Sequence, residues 1–140
     1  MPEPVQNPAF VEVVDESFRR QKFMTTIGAK LSRVAPGEVE IEIPFRAEIE
    51  QHAGSVHAGA ITAIADTACG YAALTLMPAG SDVVSVEFKL NLLAPARGDR
   101  FVARARVLRS GRTLTVCAAD VVAFPGEITV ATMLGTMMRR

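Results

Sequence analysis

The chain has 140 residues, 49% of them hydrophobic, with Lys+Arg and Asp+Glu balanced at 15 each. A chain of this length fits one domain that buries about two-thirds of the surface its unfolded form exposes, and no second domain is expected. Balanced charge excludes a global field that would draw the protein to nucleic acid or a membrane surface, so any anionic ligand has to be met by local groups of Arg.

The N-terminal lead, MPEPVQNPAF, has neither a basic n-region nor an apolar h-region, so no secretory signal is expected and the cytoplasm is the expected location. From Phe10 to Met24, the apolar residues Phe10, Val13, Val14 and Phe18 recur at helical spacing among charges. This predicts an amphipathic helix lying on a surface. Ile27 to Val34 and Glu38 to Phe45 flank the turn Ala35-Pro36-Gly37. The second segment alternates as Glu38-Val39-Glu40-Ile41-Glu42-Ile43, which predicts a hairpin with one face in water.

Residues 46 to 56 read as a loop, and the longest helix follows from about Ala58 to Leu76. The run from Ala58 to Ala79 has the length of a membrane span, but it contains Asp66, Gly59, Gly70 and Pro78, and Ala where a span would carry Leu or Ile. A buried helix is the better reading.

Alternating strands come next. Val84, Val86, Phe88, Leu90 and Leu92 are expected on one face, with Ser85, Glu87, Lys89 and Asn91 on the other, until Pro95 ends the strand. Phe101, Ala103, Ala105 and Val107 form the following apolar face, opposite Arg104 and Arg106. Arg109-Ser110-Gly111-Arg112 turns the chain and Thr113 to Ala123 returns it. After Pro125-Gly126, Ile128 to Met138 makes the last strand. Cys69 and Cys117 lack CxxC spacing and fall in core helix and core strand, so two buried thiols are expected rather than a disulfide.

This order, with short hairpin links, predicts an α+β protein in which one curved antiparallel sheet of five or six strands wraps around a single long helix. The helix is apolar on nearly every side and must be covered all round, with a second subunit over any flank the sheet leaves open.

The chain has no GxSxG, GxxxxGK, GxGxxG or HExxH, so serine-hydrolase, P-loop, dinucleotide and zincin chemistry have no support. His52 and His57 have no Cys nearby, and no metal site is expected. Asp66 is the anomaly. A carboxylate buried without a partner costs several kcal/mol by order of magnitude, and Asp is a poor residue for the middle of a helix. Either it pairs with an Arg or a hydroxyl, or sits exposed at a bend, or it lines a cleft as general base or nucleophile. The residues upstream favour the cleft. Gln51-His52-Ala53-Gly54-Ser55-Val56-His57 leads directly into a helix whose first N–H groups have no intrahelical partner, and the small residues Ala58 and Gly59 let a substrate carbonyl come close.

The pattern Gln51, His57-Ala58-Gly59, Asp66, Ser85-Val86-Glu87-Phe88 and Leu93-Ala94-Pro95-Ala96 resembles the hot-dog-fold acyl-CoA thioesterases of the phenylacetate-pathway (PaaI-like) group, over roughly Glu38 to Met138. In that family an Asn is followed by His-Gly-Gly and then by Asp or Glu about nine residues after the His. Asp66 stands nine after His57, Ala58 replaces the first Gly and Gln51 takes the place of the Asn.

The resemblance implies one hot-dog domain over residues 1–140. It further implies Asp66 as general base or nucleophile, the Ala58 N–H as oxyanion donor beside Gly59, Gln51 and His57 as positioning groups, and Ser85 as orienter of a water or of the base. The reaction implied is hydrolysis of an acyl-CoA, with coenzyme A part of the substrate and no other cofactor. Its phosphates would be met by Arg109 and Arg112, or by Arg97, although solvated hairpin charge explains these residues as well. The acyl chain is expected near Tyr71, Leu74 or Met77, which core packing explains equally.

Ala58 and Asp66 are eight residues apart on one helix, about 12 Å at 1.5 Å per residue. A thioester carbonyl needs donor and base each at about 3 Å, so one chain cannot supply both. A homodimer with antiparallel central helices is therefore expected, and in the resembled family such dimers pair into a tetramer. A non-catalytic acyl-CoA sensor and a hot-dog hydratase or dehydratase are the alternatives. The first has no need of Asp66, and the second fits the spacing less well.

Overall fold

The structure is a computed structural model that describes residues 4–140; the first three residues of the MPEPVQNPAF lead lie outside the described residues. Two short helices open the chain, α1 (Phe10–Arg20) and α2 (Lys22–Thr26). The sequence predicts one helix from Phe10 to Met24. The structure breaks it at Gln21, whose backbone is extended (φ −81°, ψ 97°) and which ends α1 and begins α2. Only Val14 of α1 is fully buried, as befits a surface helix with a narrow apolar stripe.

Strands β1 (Lys30–Ala35) and β2 (Glu38–Pro44) form the expected hairpin. Val39, Ile41 and Ile43 are fully buried, while the alternate glutamates face out beside arginines of β4. Arg104 and Arg100 lie 3.7 and 3.6 Å from Glu40 and Glu42, pairs too solvated to contribute much each.

Helix α3 (Ala58–Leu74) is followed by β3 (Val83–Leu92), β4 (Arg100–Ser110), β5 (Leu114–Phe124) and β6 (Ile128–Arg139). All neighbours pair antiparallel, in the order β1-β2-β4-β5-β6-β3, and this one six-stranded sheet curves around α3. The inward face of β4 and β5, with Phe101, Ala103, Ala105, Cys117, Ala119 and Val121, meets Ile61, Ile64, Ala65, Ala68 and Ala72 of the helix. Alanine on the helix against alanine on the strands brings the two backbones close.

Two features of α3 bear on the site. It ends at Leu74 and not at Leu76, because Thr75 turns its buried hydroxyl back onto the Ala72 carbonyl (2.6 Å) and accepts the N–H of Gly37 in the β1–β2 turn (2.8 Å). The sheet leaves one flank of the helix open: Gly59 is exposed, and Thr62, Ala63, Asp66 and Thr67, which follow it at helical spacing, are half-buried.

The expected face of β3 is also revised. Ser85 pairs with Met137 and Glu87 with Thr136, so Val86 is an extra residue, a β-bulge that reverses the alternation. Beyond it, Phe88 is opposite Gly135 and Leu90 opposite Met133. Ser85 therefore shares the helix-facing side of the strand with Leu90, not the opposite side, as strict alternation requires.

Candidate active site

The start of α3 is held by its own loop. Gln51 Oε1 accepts the N–H groups of Ala53 and Ser55, the Gln51 N–H bonds the Ser55 carbonyl (2.8 Å), and the Val56 N–H reaches across to Ala96 (2.9 Å). The His57 N–H donates to the Ile49 carbonyl (2.7 Å). His57 is the N-cap of the helix, and its Nδ1 accepts the Gly59 N–H at 2.7 Å, which puts the ring proton on Nε2. Gly59 is needed here because a Cβ on it would stand 2.9 Å from that nitrogen. The Ala60 and Ile61 N–H groups are spent on the His57 carbonyl. Among the described residues, the Ala58 N–H is the donor of this first turn left without a partner. It opens on a cleft of about 810 Å³ that Gln51, His57, Leu92, Pro95 and Arg97 also line.

Asp66 lies two turns further along, on the half-exposed flank. Ser85 Oγ donates to its Oδ1 at 2.5 Å and stands 3.3 Å from Met137 Sδ. The carboxylate borders a separate cleft of about 230 Å³ between α3, the start of β3 and α1. No Arg or Lys pairs with Asp66 among the described residues, so its partner is the Ser85 hydroxyl alone. The two halves of the expected site are thus on one helix but in different clefts.

Of the three expected arginines, Arg97 lines the cleft at the helix start, where its Nε donates to the buried Ser55 hydroxyl (3.2 Å). Arg112 lies at the other end of α3, in a cleft with Leu76, Met77 and Pro78, and Arg109 is exposed on β4 close to the same turn. Within one protomer these two are not brought to the site. Tyr71 lines the Asp66 cleft, whereas Leu74 is core and Met77 belongs to the Arg112 cleft.

Ser17 and Gln21 of the N-terminal helices also line the Asp66 cleft, which the sequence reading does not anticipate. Their pairing with Tyr71, which is 50 or more residues away, leaves no local signal. Cys69 and Cys117 are free and buried, with Cys117 Sγ 3.4 Å from the Cys69 carbonyl. Burial pushes the Cys117 thiol up to about 12, and burial, then the neighbouring Cys117, raises Cys69 further. Neither thiol is a nucleophile at neutral pH. Among the described residues no three His, Cys, Asp or Glu side chains gather as a metal site, and no helix is long and apolar enough to cross a membrane.

An antiparallel sheet curled around one helix, with an uncapped N–H at the helix start and a carboxylate two turns on, defines the hot-dog class of thioester-hydrolysing enzymes. Residues 53–130, more than half of the chain, match the Thioesterase superfamily. The chain belongs to that family, and with it the expected enzyme class, a thioester hydrolase, holds. A thioesterase family protein from Silicibacter pomeroyi superposes with a TM-score of 0.90 at 43% identity, covering 93% of this chain and 97% of that one. Human acyl-coenzyme A thioesterase 13 is 29% identical over 111 residues, 78% of this chain and 79% of its own. The Escherichia coli PaaI protein of the phenylacetic acid degradation operon has the same fold, with a TM-score of 0.87 at 21% identity over 96% of each chain.

Proposed function

We propose that this protein hydrolyses acyl-coenzyme A thioesters at two equivalent sites, each made from Asp66 of one protomer and the Ala58 N–H of the other. The observation that carries the reading is the state of these two groups. Ala58 offers the unspent N–H of its helix turn, and Asp66 is a half-buried carboxylate with a hydroxyl on one oxygen. On one helix they are about 12 Å apart, too far to act on one carbonyl.

The half-exposed flank of α3 and the edge of the sheet support a dimer. Strand β3 ends the sheet and carries Val86, Phe88 and Leu92 at 53, 41 and 58% exposure, a long edge with apolar side chains on which Glu87 and Lys89 are the charges. Two-fold pairing along this edge would set the two α3 helices antiparallel, Asp66 of each toward the start of the other. Leu134, exposed on the outer face of β6, offers apolar surface on which two such dimers could form a tetramer. A cytoplasmic location fits two free thiols.

In the reaction Asp66 either takes a proton from water as it adds to the thioester carbonyl, or attacks that carbonyl to form a mixed anhydride that water then opens. In both routes the carbonyl oxygen gains negative charge against the Ala58 N–H, the C–S bond breaks, and the coenzyme A thiolate leaves and is protonated. Ser85 holds Asp66, while His57 and Gln51 hold the helix start. Arg97, which lines the cleft at the helix start, would meet a coenzyme A phosphate. Coenzyme A enters as part of the substrate, with no further cofactor.

Ala58 is the first residue of α3, where proline is tolerated, and His57 before it has the extended ψ of 136° that a following proline favours. Ala58→Pro therefore removes the N–H and keeps the helix. Ala58→Pro and Asp66→Asn should each lose about 10²-fold or more in kcat. Co-expressed, they should recover about a quarter of wild-type activity, since half the dimers are mixed and each mixed dimer has one intact site. Absence of any recovery would exclude a shared site, and full activity in either single variant would remove that residue from it.

A further inference from the structure

The Asp66 cleft is closed on one side by α1, and the closure is made by side chains. Tyr71, only 3% exposed, turns its hydroxyl toward the N-terminal helices, where Gln21 Nε2 donates to it at 2.7 Å and Ser17 Oγ lies 3.0 Å away. Phe18 packs edge-on against the same ring, with centroids 6.3 Å apart at 61°. Gln21 is also the residue at which the helix breaks, so its extended backbone turns the amide onto Tyr71. On the opposite side, Gly70 leaves the cleft open: a Cβ there would touch nothing nearer than Val83 Cγ1 at 3.9 Å.

We infer that α1 is the end wall of the acyl pocket, latched shut by the hydrogen bonds of Gln21 and Ser17 to the Tyr71 hydroxyl, and that this latch sets the longest acyl chain the enzyme accepts. The inference rests on the Asp66 site proposed above. With the thioester carbon at Asp66 and coenzyme A leading away past the partner's Arg97 cleft, the acyl group has the Asp66 cleft to fill. A cavity of about 150 Å³ holds benzene, so a cleft of about 230 Å³ holds a ring or a short chain. A longer chain meets the Ser17–Tyr71–Gln21 cluster and has to part its hydrogen bonds to go further. Val14 is the one fully buried residue of α1, with Val13 and Phe18 packed partly buried beside it, so the wall can give way once the latch is removed.

The test is the ratio of kcat/KM for dodecanoyl-CoA to that for hexanoyl-CoA in wild type, Gln21→Ala and Tyr71→Phe, with butyryl- and palmitoyl-CoA extending the series. Tyr71→Phe keeps the ring against Phe18 and removes only the hydroxyl. Wild type should favour hexanoyl-CoA by about tenfold or more, and each variant should raise the dodecanoyl-to-hexanoyl ratio by about fivefold to tenfold. A general loss of stability would lower both rates together and leave the ratio unmoved. An unchanged ratio in active variants, or a wild type that takes palmitoyl-CoA as readily as hexanoyl-CoA, overturns the inference alone. Wild-type inactivity toward every chain overturns the site reading and the inference with it.

Discussion

Ser85 Oγ and Asp66 Oδ1 are 2.5 Å apart, a contact between strand β3 and helix α3 that exists because Val86 is bulged out of the ladder. In an unbulged strand carrying Leu90 toward the helix, Ser85 would face away from it. The bulge therefore supplies the carboxylate with its only side-chain partner among the described residues.

Ser85→Ala should reduce kcat by about tenfold and Asp66→Asn by about 10²-fold to 10⁴-fold. The asparagine still accepts from Ser85 but neither takes a proton nor attacks. Steady-state assays of thiol release measure both, and equal losses in the two variants would mean that Ser85 does more than hold Asp66.

His57 caps α3 through Nδ1, and Asn is a good capping residue while Ala is not. His57→Ala should cost about 1 kcal/mol, a fall in Tm of about 2–4 °C, and His57→Asn should restore most of it. Gly59→Ala should be similarly destabilising, since its Cβ would press on the ring. Thermal unfolding followed by circular dichroism distinguishes these outcomes.

The exposed edge of β3 is the proposed seam between protomers. Lysines block such edges, so Val86→Lys with Phe88→Lys should shift the protein to monomer in sedimentation experiments. Activity should fall with it by about 10²-fold, as Asp66 loses its oxyanion donor. A monomer that retains full activity would refute the shared site.

The Cys117 thiol gives an alkaline signature. Its folded value, about 12, lies above the ordinary 9.0, so the folded state keeps a proton that the unfolded chain releases. The resulting stability is complete below pH 9 and is lost as pH rises from there toward 12. Between pH 8 and pH 10 wild type should lose about 1 kcal/mol more than Cys117→Ala in urea titrations. Parallel losses would show that other groups control the alkaline limb.

Much of this architecture is legible from residue patterns alone. Val39, Ile41 and Ile43 alternate with glutamates because one face of β2 is core and the other is water. The start of α3 is marked by His57-Ala58-Gly59, where a capping side chain, an uncapped N–H and a glycine with no Cβ to block the ring follow one another. What escapes the patterns is set by distant partners. The break at Gln21 has no Pro or Gly to announce it, and goes with an amide that reaches Tyr71. The bulge at Val86 leaves an alternation that reads as regular. Arg97 is distinguished from Arg109 and Arg112 by the Val56–Ala96 hydrogen bond, which ties its segment to the loop before α3.

The bulge also divides the labour of β3. Val83 and Ser85, before it, face Gly70 and Asp66 of the helix, whereas Val86, Phe88 and Leu92 present apolar surface at the free edge. Two tasks thus fall on ten residues of chain. Substitutions at Val83 or Ser85 act on the Asp66 side directly, whereas those at Val86 or Phe88 act on the exposed edge and reach the reaction through the assembly that completes the site. Deleting Val86 would join Ser85 directly to Glu87, whose partners Met137 and Thr136 are already neighbours on β6, and would leave an unbroken ladder with both faces kept.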